Sequence, residues 1–62
     1  MNKEIPSLHI GDHVVKDAGD YTFDGYVVCV FWKRSGAVRI VVENADGVVH
    51  IFSEKNVKLI PE

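Results

Sequence analysis

No disulfide can brace this chain from within, because Cys29 is the only cysteine among its 62 residues. A metal staple is not expected either. His9, His13, His50 and one cysteine lack the paired-ligand spacing of a zinc finger or ribbon, and Gly11-Asp12 marks a turn between the two nearest histidines. Basic charge is sparse: seven Lys and Arg stand against nine Asp and Glu, for a formal net charge of -2, and only Lys33-Arg34 are adjacent. Nucleic-acid binders draw most of their affinity from cations that neutralise phosphates, so no nucleic-acid partner is expected. Long apolar runs are missing too. Nothing approaches the roughly 18 residues of a membrane span, and Met1-Asn2-Lys3-Glu4 does not open a signal peptide. The expected setting is cytoplasmic, with no membrane partner. Chains below about 70–80 residues gain only roughly 3–5 kcal/mol from a single core, which leaves self-association as the remaining means of stabilisation.

What the chain does have is regular punctuation. Residues 1–8 mix charge, Pro6 and Ser7 without period and read as a loose arm before a single domain over 9–62. Within that domain Gly11-Asp12, Gly19-Asp20, Asp24-Gly25, Ser35-Gly36 and Asp46-Gly47 mark turns. The segments between them are rich in Val, Ile, Phe, Tyr and Trp, which suit a pleated, half-buried surface. Five strands are expected, over 13–16, 26–33, 37–44, 48–53 and 57–60, and no helix. Asp46-Gly47 between apolar runs suggests a two-residue type I′ hairpin, and the short polar stretch Ser53-Glu54-Lys55-Asn56 suits one 3-10 turn before the last strand. This order of elements describes an all-β fold, a small five-stranded SH3-like barrel.

Side-chain alternation separates the strands. In the third, Val38, Ile40 and Val42 share one face, with Arg39 and Glu43 on the other, as in an ordinary half-buried strand. In the second, Tyr26, Val28, Val30 and Trp32 line one face and Val27, Cys29 and Phe31 the other, so both faces are apolar. The fourth places Val49 and Ile51 on one side and Val48, His50 and Phe52 on the opposite side. A barrel this small has one interior, so the second apolar face must meet another protein surface or remain an exposed patch that promotes association.

The stretches "GDHVVK", "FDG", "GVVHIF" and "VKLI" resemble the plasmid-borne type II dihydrofolate reductases, whose corresponding stretches read GD-V-K, W-x-G and G-x-VQIY before a closing short strand. The likeness spans Gly11 to Ile60. The chain is also similar to small proteins of bacteria and their phages that carry "GDYTFDG", "SGAVRIVVE" and "HIFSEKN", a likeness that implies no function. The first resemblance implies an SH3-like barrel that assembles as a homotetramer around a pore, where NADPH and dihydrofolate bind side by side, with resistance to trimethoprim. It implies that His50, Ile51 and Phe52 form the catalytic surface. It further implies that Val49, His50 and Ile51 contact the cofactor, with Lys16 at the pore mouth attracting the anionic tails of both ligands.

This sequence departs from that pattern at the centre. The family's glutamine is His50 here and its tyrosine is Phe52, while its tryptophan is replaced by Phe23. A neutral imidazole still offers one donor and one acceptor and can stack on a flat ring. The family's histidine that crosses between dimers has no counterpart; Ala45 and Asp46 stand nearest. Read without the resemblance, the chain shows no Ser-His-Asp arrangement, no phosphate-cradling glycine loop and no carboxylate pair, and Cys29 suits a small buried hydrophobe. Two readings stay open: a weak or latent NADPH-dependent reductase, and a non-enzymatic SH3-like interaction module.

Overall fold

The computed structural model describes residues 3–61, which form β1 (His13–Asp17), β2 (Thr22–Trp32), β3 (Val38–Glu43), β4 (Val49–Phe52), a 3-10 turn at Glu54–Asn56 and β5 (Lys58–Leu59). All pairings are antiparallel, in the order β4-β3-β2-β1-β5. This is the SH3-like barrel the punctuation implies, with β5 reaching back to β1 through the 3-10 turn. Val14, Val27, Val38, Ile40 and Val42 are fully buried, and Leu8 and Phe23 complete the core with Val30, Phe52 and Val57 packed against it. Each such side chain contributes about 1.5–3 kcal/mol by leaving water.

β2 differs most from expectation. Asp24-Gly25 is not a turn: the strand runs through it, pairing with β1 over 22–26 and with β3 over 26–32. Gly25 serves close approach instead. A Cβ there would overlap the Glu43 carbonyl oxygen and lie 2.7 Å from its carbon, so only glycine lets β3 cross at this point. Two residues later the register shifts between Val27 and Cys29, a β-bulge with Val28 as the extra residue. The bulge inverts the alternation read from sequence. Val27 and Val30 both face the core, while Tyr26, Cys29 and Phe31 face outward. Cys29 is therefore exposed rather than a buried hydrophobe.

The hairpin at Asp46-Gly47 has three loop residues, not two. Gly47 N–H donates to Asn44 O at 3.0 Å and Asn44 N–H to Val48 O at 2.9 Å. Only Gly47 takes positive φ, at 81°. Asp46 therefore stays right-handed, and the loop is a type I turn closed by a glycine bulge. Asn44 Oδ1 stabilises it by accepting from Asp46 and Val48 N–H. The β2–β3 hairpin repeats the plan around Lys33 and Gly36, the latter at φ 92°.

The segment read as a loose arm is laid on the barrel over its described residues, 3–8. Glu4 bonds Gly36 O through its N–H, receives Trp32 Nε1–H at its carbonyl and receives Val38 N–H at its carboxylate, and Lys3 lies over the Trp32 ring. Glu54 Oε2 accepts from both Ser7 and Leu8 N–H, at 2.9 and 2.8 Å, and Leu8 plugs the core at 8% exposure. An aperiodic segment can be fixed by such individual bonds, which leave no pattern in sequence. Glu54→Ala is expected to destabilise the barrel by about 1–3 kcal/mol, since it orphans two backbone donors, and to expose the arm to protease. Urea unfolding with limited proteolysis checks this.

Candidate functional site

β4 is an edge strand, and its pairing fixes what each of its residues can reach. His50 stands opposite Val42 and Phe52 opposite Ile40, so both point to the face that carries the core. Val49 and Ile51, opposite Glu43 and Val41, point outward and are 52% and 61% exposed. The strand's alternation therefore splits the motif that the resemblance places on one ligand surface. His50 and Phe52 belong to one face, Val49 and Ile51 to the other.

His50 is exposed at the open end of the barrel but tightly placed. Its ring stacks on Phe23, with centroids 4.3 Å apart and planes 12° from parallel, and Phe52 meets it edge-on at 5.8 Å. The Tyr21 hydroxyl lies 2.8 Å from Nδ1. In the tautomer that carries its proton on Nε2, that hydroxyl donates to Nδ1 and leaves Nε2–H free as a donor. Tyr21 was not singled out from sequence. The signal was its spacing: Tyr21 and Phe23 are two apart, hence on one face of the segment that enters β2.

Lys16 stands opposite Phe23 in the β1–β2 register, which sets it on the same face as the ring on which His50 stacks. No ion pair engages Lys16 among the described residues. Structure thus brings Lys16, Tyr21, Phe23, His50 and Phe52 together, and separates Val49 and Ile51 from them. The arrangement offers a flat, partly polar platform beside a cation.

The outer face carries its own pattern. Cys29, Val41 and Ile51 stand in register across β2, β3 and β4, with Val49 beside them. They form the second apolar surface expected from sequence, assembled from different β2 residues because of the bulge. Elsewhere, an open depression of about 260 Å³ is lined by Gly11, Asp12, His13, Leu59, Ile60 and Pro61. His13 there is engaged by Asp24 and stacked on Tyr26. Among the described residues no helix is long and apolar enough to cross a membrane. Neither a family model nor any curated protein matches the chain.

Proposed function

We propose that the chain is an NADPH-dependent reductase of the type II dihydrofolate reductase kind, working as a homotetramer whose pore gathers the His50 platform and the Lys16 strand end of each barrel. The exposed imidazole carries this reading. Phe23 backs one ring face, Tyr21 holds one edge, and Lys16 stands opposite Phe23 on β1. A nicotinamide or pterin ring fits such a platform, and its anionic tail would be drawn to the ammonium. NADPH would supply the hydride; the chain's part is to bind and align two flat rings, which alone can contribute several kcal/mol. The fit requires assembly, because ligand sites for molecules of this size enclose about 300–1,000 Å³ and the His50 surface of one barrel is open.

Lys16→Met tests the electrostatic part. Binding of NADPH, followed by calorimetry, is expected to weaken several-fold at low salt and less as salt rises, because exposed charges are screened over about 8 Å at physiological ionic strength. Four chains at -2 carry -8, so the attraction has to be local. NADPH oxidation should depend on added dihydrofolate and resist trimethoprim. Absence of NADPH binding at low salt would overturn the reductase reading. The second reading, a non-enzymatic interaction module, would then stand on the outward row of Cys29, Val41 and Ile51.

A further inference from the structure

Tyr21 reaches His50 from a closed loop. Ala18 N–H donates to Tyr21 O at 2.8 Å, Asp17 Oδ1 accepts from Gly19 N–H at 3.2 Å, and Asp17 pairs with Thr22 where β1 turns into β2. The backbone that carries the phenol is thereby fixed. The Tyr21 and His50 rings lie 15° from parallel with centroids 6.4 Å apart, and the hydroxyl is 2.8 Å from Nδ1. Rings lying one over the other would be separated by about 3.5 Å or more, longer than that bond, so the phenol and the imidazole meet edge to edge. Phe23 covers one face of the imidazole, 4.3 Å away between centroids. The bond also has a preferred direction. A phenol O–H is a stronger donor than a neutral imidazole N–H, and an imidazole nitrogen is a stronger acceptor than a phenol oxygen, so the hydroxyl donates and Nδ1 accepts. The proton of the neutral ring then stands on Nε2, where no hydrogen bond engages it among the described residues.

We propose that Tyr21 is the positioning residue of this site: it holds His50 as the Nε2–H tautomer and so makes the open edge of the platform a hydrogen-bond donor alone. A glutamine at the same place would offer a donor and an acceptor, and could turn either toward a ligand. The clamped imidazole cannot. A half-turn of the ring would put Cδ2 where Nδ1 stands and lose the Tyr21 bond, and moving the proton to Nδ1 would set it against the hydroxyl hydrogen. The site therefore selects flat rings that carry an acceptor in their plane, a ring carbonyl or a carboxamide oxygen, over rings that present an amino group at that position. Once a ring covers the platform, an amino group there sets donor against donor and leaves both unpaired. The selection rests on the reductase reading. The tautomer is a property of the protein without ligand, so the two can fail separately.

Nitrogen NMR of histidine-labelled protein at pH 8 reads the tautomer, with the His50 signals assigned by their loss in His50→Gln. The parent is expected to show a protonated Nε2 and a bare Nδ1. At its exposed position Tyr21→Phe keeps the ring and removes only the hydroxyl. The minor Nδ1–H tautomer of His50 is then expected to rise roughly 2- to 10-fold, the range one net hydrogen bond supplies. A Tyr21 that served packing alone would leave that ratio unmoved. A proton on Nδ1 in the parent, or an unchanged ratio in Tyr21→Phe, overturns the proposal. The same samples titrated with quinazolinone and with aminoquinazoline read the selection. These probes bear an oxo or an amino group at the same carbon, and neither has an anionic tail for Lys16 to attract. The parent is expected to favour the oxo ring by about fivefold or more, and Tyr21→Phe to bring the preference to about twofold. An equal preference in the two proteins overturns the selection. Binding of neither ring overturns the selection together with the reductase reading, and the tautomer then decides the role of Tyr21.

Discussion

Gly25→Ala is expected to unfold the barrel. The added methyl would overlap the Glu43 carbonyl, which is backbone and hydrogen-bonded in the sheet, so no side-chain rotation can relieve it. Relief requires β2 and β3 to part beside Val27 and Val42, two of the most buried residues. Losses above about 4 kcal/mol are exceptional for single substitutions, but a clash of backbone with core is among their causes. A barrel of this size has only roughly 3–5 kcal/mol to lose. Gly19→Ala is the comparison: Gly19 has φ 81° but open space around its Cα, so the cost is about 1–2 kcal/mol of backbone strain alone. Urea unfolding followed by tryptophan fluorescence separates the two. A Gly25→Ala protein within about 1 kcal/mol of the parent would mean that β3 does not approach β2 as described.

The second large effect is acid dissociation of the assembly. Two protonated His50 rings, were the proposed pore to bring them about 6 Å apart, would repel by roughly 1.4–2.8 kcal/mol for effective dielectric constants of 40 and 20, or about 10- to 100-fold in affinity. Separated copies hold the extra protons without that cost. They therefore bind more protons than the assembly, and linkage drives dissociation as pH falls through the range in which histidine charges. The polar group facing His50 within a protomer is the Tyr21 hydroxyl at Nδ1. His9 and His13, the other two histidines of the chain, lie near Asp12 and Asp24. His50→Gln isolates the cause. Its dissociation constant is expected to change little between pH 8 and pH 5, while the parent's rises about tenfold or more. Equal acid sensitivity in the two proteins would remove His50 from the proposed pore.

The strand order, the single 3-10 turn and the split of β4 into His50 and Phe52 against Val49 and Ile51 were legible because they follow from period-2 alternation and turn residues. Three features were not legible. Asp24-Gly25 carries the composition of a turn, and only the crossing of β3 over β2 shows that the glycine is there to leave room. The bulge at Val28 reverses which residues of β2 face out, and an extra residue in an all-apolar run has no mark in sequence. The arm is fixed by Glu4 and Glu54, whose carboxylates receive distant backbone N–H groups, a long-range pairing that no local pattern encodes. The site was legible to the same extent. Lys16 stands opposite the Phe23 on which His50 stacks, Tyr21 adds the bond that orients the imidazole, and Val49 and Ile51 lie on the opposite face of the sheet from His50.

The central claim is that this barrel works as an assembly. Its most direct test is the mass of the untagged protein by light scattering at micromolar concentration and pH 8. The expected result is a multiple of the 6.9 kDa chain, with the tetramer of the reductase reading as the full assembly. A single species of 6.9 kDa, unchanged as concentration rises, would contradict it.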